Sequence, residues 1–285
     1  MTWKQWLVHS VFRLSRSYSP SAKQDAEILL AQVTNTTRTH LLAFSETPLT
    51  KTEQAKLEIL LSRRECGEPI AYLIGEHEFW SLPLRVSTDT LIPRPDTECL
   101  VQRALDLLLP SCANVLDLGT GSGAIALALA SERPKWQVTG IDRLPNVVML
   151  ARNNAKRLGL KNIQFLEGNW FEPIQTKRYH LIVSNPPYIE INDPHLMQGD
   201  VRFEPHSALV SGEDGLQDLS AICRDVLAYL EPDGWLLLEH GWRQGQAVRD
   251  LIMNAGFIQV ETIRDYCKNE RISQGLYSQR RYNQN

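Results

Sequence analysis

From Cys112 onward, short apolar runs that read as strands alternate with segments that read as helices. The order is NVLDLG, then Ser122 to Ser131; QVTGID, then Val147 to Leu158; IQFLEG; HLIVSN; Leu216 to Leu230; WLLLEHG, then Gln244 to Ala255; and FIQVETI. Apolar runs this short, separated by helices, call for a mainly parallel sheet covered on both faces. In such a sheet ligands bind beyond the carboxyl ends of the strands. Functional residues are therefore expected just after each run, and that is where the unusual ones fall.

The first run ends in Asp117-Leu118-Gly119-Thr120-Gly121-Ser122-Gly123-Ala124. Glycines at alternate positions let the backbone turn tightly and let a ligand approach with no Cβ in the way. Asp142 ends the second run, 142 − 119 = 23 residues past the first glycine, where a carboxylate can accept both hydroxyls of a ribose. Gly119, Gly121 and Ala124 also satisfy the dinucleotide fingerprint, so the glycines alone leave the ligand open. Asp117 tilts the reading, because it would repel a pyrophosphate but could hold an ammonium. After the third run, Asn169 and Trp170 stand where an adenine is expected. Asn169 can hydrogen-bond the purine edge, and the indole either stacks on it or belongs to the core.

The fourth run ends in Ser184-Asn185-Pro186-Pro187-Tyr188-Ile189. Proline fixes its own φ and has no N–H, and it pushes the preceding residue toward extended geometry. The loop is therefore stiff, open and rich in acceptors. It suits a planar NH2 group, such as a glutamine amide or the exocyclic amine of adenine or cytosine, whose nitrogen lone pair is delocalised. If the Asn185 side-chain oxygen and the Pro186 carbonyl each accept one N–H, the lone pair is aimed at an electrophile and Tyr188 covers the planar face. Asn185, Pro186 and Tyr188 are the expected catalytic residues, and Asn185 to Tyr188, Pro187 included, the expected substrate contacts.

A glycine loop, a ribose acid and Asn-Pro-Pro-Tyr in this order resemble the S-adenosylmethionine-dependent methyltransferases that act on amino groups. The blocks GEPIAYLIGEHEFW, LIPRPDTECLV, DLGTGSGAIALALA, SNPPYI, DVRFEPHSALVSGEDGL and LLLEHGWRQG go further, and resemble the release-factor glutamine N5-methyltransferases (HemK/PrmC family). The resemblance implies a class I, Rossmann-like α/β catalytic domain with a mainly parallel seven-stranded sheet, an N-terminal helical domain and a hairpin linker. It also implies S-adenosylmethionine as methyl donor, with S-adenosylhomocysteine as product. The substrate it implies is the glutamine of the Gly-Gly-Gln motif in class 1 peptide chain release factors. The cofactor contacts expected by position are Asp117, Gly119, Thr120, Gly121, Ser122, Gly123, Asp142, Asn169, Trp170 and Asn185. At Asn169 many members carry aspartate. Pro93 to Glu98 and Arg202 to Pro205 are expected to border the cleft or to form structural turns.

The rest of the chain frames this reading. Residues 1–75 read as a helical bundle expected to bind the release factor, 76–92 as a hairpin linker and 93–285 as the catalytic domain. Ser21 is placed to cap a helix, and Thr50 with Glu53 has capping-box spacing. From Met1 to Gln24 there are basic residues and five serines but no acid, which resembles an organellar presequence. Yet Trp3, Trp6, Leu7, Val11 and Leu14 recur at helical spacing, so a packed first helix and a cytoplasmic protein are expected. No apolar run approaches the roughly 18 residues that span a bilayer. Five scattered cysteines without a Cys-x-x-Cys pair read as reduced thiols, and the expected chemistry calls for no metal. His195 and His206 read as loop residues. The net charge of −3 divides into 9 basic and 7 acidic residues up to residue 75, leaving 30 − 9 = 21 and 33 − 7 = 26 beyond it. A nucleic-acid amino-methyltransferase would be expected to carry a basic surface, which this balance does not suggest. A non-catalytic nucleotide-binding module would have no use for Asn185 to Tyr188.

Overall fold

Thr2 accepts from the Gln5 backbone while the Gln5 side chain accepts from Thr2, and this capping box opens α1 (Trp3–Arg16). Trp3, Trp6, Ser10 and Leu14 are its buried stripe, so the basic, serine-rich N-terminal stretch is a packed amphipathic helix. The computed structural model describes residues 1–17 and 19–278. Tyr18 and the last seven residues of the expected catalytic domain lie outside the described residues. The chain forms two compact units, Met1–Glu76 with His195–Phe203, and His77–Pro194 with Glu204–Asn285.

In the first unit α1 is followed by α2 (Ala22–Thr34), α3 (Arg38–Ala43), α4 (Lys51–Glu65) and α5 (Ile70–Ile74). Leu14, Leu29, Leu30, Leu57 and Leu61 are fully buried at its centre. Thr50 and Glu53 form the capping box that their spacing predicts. Ser21 does not cap α2 through its side chain. Its hydroxyl instead donates to Asp25 Oδ1 at 2.9 Å, because Asp25 is buried and its carboxylate needs donors.

In the remainder, β1 (Glu76–Phe79) and β2 (Leu82–Arg85) form a two-stranded sheet. The turn between them puts both Trp80 and Ser81 at positive φ, a hairpin geometry usually marked by Asn-Gly. Here Trp80 is held by its surroundings: its N–H donates to Glu98 and its indole N–H to Glu132. Residues 86–92 are not strand. Then come α6 (Glu98–Asp106), β3 (Asn114–Leu118), α7 (Ala124–Glu132), β4 (Gln137–Asp142), α8 (Pro145–Leu158), β5 (Ile163–Glu167) and β6 (Tyr179–Ser184). After β6 follow α9 (Gln217–Asp225), β7 (Leu230–Glu239), α10 (Gly245–Asn254), β8 (Ile258–Arg264) and β9 (Glu270–Leu276).

The described residues form a seven-stranded sheet in the order β5-β4-β3-β6-β7-β9-β8. Its first five strands are parallel, and β9 runs antiparallel to both neighbours. This is the class I methyltransferase arrangement. Strand alternation sends Val115, Leu181 and Val183 into a core with α6, α7 and α8. Leu116, Leu118, Ile182, Leu236 and Leu238 enter a second core with α9 and α10. The chain leaves β3 toward β4 and β6 toward β7, so the order reverses between β3 and β6, where such sheets bind ligands.

Two elements escape the sequence patterns. The segment from Leu216 to Leu230 is only partly α9, continuing as a 3-10 turn at Val226–Tyr229. β9 carries no apolar run because its buried positions include Ser273 and Gln274. Ser273 bonds His240 Nε2 at 2.9 Å and Thr262 Oγ1 at 2.7 Å, and Gln274 joins Arg103 and Glu261.

Candidate active site

The loop after β3 has Gly119, Gly121 and Gly123 all at positive φ, a conformation that other residues adopt only with strain. A Cβ on Gly121 would project into open space, so the loop leaves its approach face bare. Thr120 turns inward, its hydroxyl donating to Asp117 Oδ2 at 2.6 Å, and its N–H donates to the Ile141 carbonyl of β4. Asp142, at the end of β4, accepts from the Gly121 N–H at 3.0 Å on Oδ2 and from the Leu144 N–H at 3.1 Å on Oδ1. Each oxygen keeps a lone pair for a further donor. Burial raises the Asp142 pKa against the lowering effect of those two backbone bonds.

Ser184, fully buried, donates to the Leu118 carbonyl at 2.7 Å. That bond ties the end of β6 to the end of β3, so Asn-Pro-Pro-Tyr emerges beside the glycine loop. Asn185 Nδ2 donates to Thr97 Oγ1 at 3.3 Å, which leaves Oδ1 as the acceptor of the carboxamide. The Tyr188 carbonyl accepts from Gln244 Nε2 at 3.0 Å, and Gly215 packs so closely that a Cβ there would lie 2.3 Å from the same oxygen. The Tyr188 hydroxyl faces Glu239 Oε1 at 3.4 Å. Burial, then the neighbouring Glu239 charge, raise the Tyr188 pKa. Burial also pushes Glu239 up to about 7, opposed by hydrogen bonding from Thr97 and by the Arg271 charge.

These loops border an open cavity. Gly119, Thr120, Gly121, Ser122, Asp142, Asn169, Trp170, Asn185 and Pro187 all stand on its wall. Trp170 is held at φ 48°, an outlier for a bulky side chain, with its ring packed close to Gly119. It is half-buried against the core as well.

Four expected residues are not on the wall. Gly123 caps α7 behind the loop, and Pro186 is buried. Tyr188 is directed to Glu239. Asp117 shares the strand face of Val115 and lies under the loop, fully buried, with Oδ1 lacking a hydrogen-bond partner. Burial pushes its carboxyl up to about 7, opposed by the Thr120 bond. Asp117 therefore braces the glycine loop from beneath.

The wall also includes residues that sequence reasoning did not assign to the cofactor site: Asp89, Thr90 and Leu91 after the hairpin, Arg143 and Leu144, and Ser207 and Ala208. They follow strands or lie in irregular segments, where no periodicity marks them. Of the two blocks expected near the cleft, Pro93 and Thr97 face the cavity, and Arg94 pairs with the buried Glu204 at 2.7 Å.

Residues 110–283 match a family model described as a methyltransferase domain, and residues 5–75 one described as the PrmC N-terminal domain. A methyltransferase structure from Pyrococcus furiosus superposes with a TM-score of 0.54 at 16% identity, covering 80% of this chain and all of that one. That likeness concerns the fold. The chain is 54% identical over 278 residues to the release factor glutamine methyltransferase of Salmonella typhimurium, covering 98% of this chain and all of the relative. It is 53% identical over 279 residues to the enzyme of the same name from Escherichia coli K12, with the same coverage. With the expected motif order on the expected strand ends and relatives this similar along their whole length, the chain belongs to the release factor glutamine methyltransferases.

Proposed function

We propose that this protein transfers a methyl group from S-adenosylmethionine to the side-chain amide nitrogen, N5, of a glutamine in a class 1 peptide chain release factor, at its Gly-Gly-Gln segment. The observation that carries the reading is that Asn185 and Pro187 share one cavity wall with Gly119, Gly121 and Asp142. An NH2-accepting loop and a nucleoside-accepting loop thus open onto the same space. The donor set fits S-adenosylmethionine: a bare glycine loop for close approach, two carboxylate lone pairs on Asp142 for a ribose diol, and Trp170 with Asn169 for adenine. When bound, that cofactor supplies an electrophilic sulfonium methyl.

The chain's own residues then have to orient the nucleophile. In this reading Asn185 Oδ1, on the cavity wall, accepts one N–H bond of the substrate amide and the main-chain carbonyl of Pro186, a residue otherwise buried behind the wall, accepts the other, and neither proline offers a competing donor. Fixing that planar nitrogen toward the methyl can supply on the order of 7 kcal/mol of the barrier. Methyl transfer leaves the amide nitrogen protonated and positively charged, and that cation is acidic enough to lose its proton to water, so no dedicated base is required.

Residues 1–75, of which 5–75 match the PrmC N-terminal domain, are the release-factor-binding part in this reading, 76–92 the linker and 93–285 the catalytic part. The setting is the cytoplasm, where termination occurs. No helix of the described residues is long and apolar enough to cross a membrane. Incubation with methyl-labelled S-adenosylmethionine, a class 1 release factor and, separately, duplex DNA and RNA tests the reading. Label is expected on the Gly-Gly-Gln glutamine, and label on nucleic acid alone overturns it.

A further inference from the structure

Of the seven tryptophans in the chain, Trp242 is the exposed one, at 55%, while the others are buried or half-buried. It stands in a tight turn just after β7, Gly241-Trp242-Arg243-Gln244, closed by the Gln244 N–H on the Gly241 carbonyl at 2.9 Å. The Gln244 side chain locks this turn at both ends. Its Oε1 accepts from the Gly241 N–H at 2.8 Å, and its Nε2 donates to the Tyr188 carbonyl at 3.0 Å. A Cβ on Gly241 would lie 3.7 Å from the Tyr188 ring. The stem of the turn is thus fastened to Asn-Pro-Pro-Tyr, and its two tip residues, Trp242 and Arg243, are left in solvent. The Arg243 guanidinium lies 4.4 Å from the indole centroid, and no hydrogen bond or ion pair of the described residues engages it.

The sheet order indicates what meets that tip. The glycine loop follows β3, Asn-Pro-Pro-Tyr follows β6 and the Trp-Arg turn follows β7, on three neighbouring strands that run the same way. In the reading above the methyl donor lies on the β3 side of the clamp, and neither Trp242 nor Arg243 lines its cavity. The nucleophile has to face the methyl, so the chain that carries the target amide approaches from the opposite side, over β7. Tryptophan and arginine are the residues that most often anchor a protein partner. A flat indole accepts an extended main chain only where no side chain stands between them, which is the case beside glycine. Peptide N–H groups can then point at the ring, and a guanidinium can donate to the carbonyls.

We propose that Trp242 and Arg243 form the docking platform for the glycine-rich main chain next to the target glutamine: the indole covers its peptide planes and Arg243 donates to its carbonyls. The platform hangs on the Tyr188 carbonyl, so seating the main chain also sets the depth at which the amide reaches Asn185. This inference deepens, and rests on, the amide methylation proposed above.

The test uses the full-length protein and a class 1 release factor. At saturating S-adenosylmethionine, Trp242→Ala is expected to raise KM for the release factor about tenfold and Arg243→Ala about threefold, with Trp242→Phe within about threefold of wild type. Affinity for S-adenosylhomocysteine and the melting temperature are expected to stay near wild type in all three, because both side chains are exposed and outside the cofactor cavity. Coupling identifies the occupant. Alanine in place of the glycine before the target glutamine should weaken binding to the wild type more than to Trp242→Ala, since the added methyl meets the indole only where there is one. A direct readout is acrylamide quenching of Trp242, taken as the difference between wild type and Trp242→Phe, which the release factor should suppress. Wild-type KM in Trp242→Ala, additive losses in the coupled pair, or undiminished quenching in the complex overturns the platform. So does shielding that appears only with duplex RNA or with rising concentration of this protein alone, which would assign the turn to another partner. A release factor that shields Trp242 yet receives no label overturns the proposed reaction and not the platform.

Discussion

Asn185 presents an acceptor because its donor is engaged, and the consequence can be measured at the residue itself. Asn185→Ala leaves one substrate N–H without a partner in a partly desolvated site, which costs about 1–3 kcal/mol before any loss of orientation. Turnover is expected to drop by about a hundredfold or more, while S-adenosylmethionine affinity by calorimetry changes little. Near-normal turnover would show that the amide clamp is not what aligns the nucleophile. Asp117 makes a second prediction, with a sign fixed by linkage. Its folded pKa of about 7 lies above the ordinary carboxylate value of 3.8, so the folded state holds a proton that the unfolded chain has released. The stability contributed by this proton is fully present below the unfolded value and is lost as pH rises through about 7. In Asp117→Asn that loss is absent. The melting temperature of the variant relative to wild type is therefore expected to climb between pH 5 and pH 8, and a constant difference would contradict a protonated Asp117. At this scale the sequence was legible for identities and less so for placement. Asp117 was recognisable as part of the motif, but strand alternation beside Val115 put it under the loop, where a linear motif cannot show it.

Strand ends, not single residues, bring the two loops together. The Ser184 hydroxyl on the Leu118 carbonyl joins β6 to β3. The Asn-Pro-Pro-Tyr turn is held from outside by the blocks that contain Gly215 and Gln244. Those blocks were visible in the sequence only as a resemblance, and the packing gives them a physical reason. Gly215 stands at φ +72°, where a Cβ would meet the Tyr188 oxygen at 2.3 Å and Gln244 Nε2 at 2.7 Å. Gly215→Ala must therefore displace the turn as well as accept a left-handed backbone, a conformation costing roughly 1–2 kcal/mol for a non-glycine residue. A loss of at least about 2 kcal/mol by urea unfolding is expected, accompanied by a fall in turnover larger than stability alone explains. Parallel strands β3, β4, β6 and β7 were readable because burial on both faces leaves short, mainly apolar runs. β9 was not, because its interior is built from serine and glutamine satisfied by partners on β8 and α6 and by His240 just after β7, a network that exists only after folding.

The helical unit shows what the whole molecule adds beyond its elements. Residues 1–75 announce helices through their caps and apolar spacing, yet the unit also includes His195–Phe203, from the far side of Asn-Pro-Pro-Tyr in the chain. That segment has no periodicity to betray it, because polar contacts attach it: Arg64 Nη1 bonds Asp200 at 3.1 Å, and Arg202 donates to the Cys66 carbonyl. Arg64 is the hub. Its side chain is 5% exposed, its Nε meets Asp25 Oδ2 at 2.7 Å, and its Nη1 also bonds the Glu68 carbonyl. Asp25 is 3% exposed on its side chain, with the Ser19 and Ser21 hydroxyls as its other donors. Removing one member of such a pair strands a buried charge, which costs about 3–5 kcal/mol, whereas replacing both with apolar groups is often neutral. Arg64→Met is therefore expected to lower the unfolding free energy of the helical unit by about 3 kcal/mol, and Arg64→Met with Asp25→Leu to recover most of it. Calorimetry that resolves the melting of this unit checks both. Equal melting of wild type and Arg64→Met would mean that the ion pair does not hold the unit together. Failure of the double variant to recover would assign the loss to the Asp200 and Glu68 contacts, which tie the distant segment and the end of α4 to the same guanidinium.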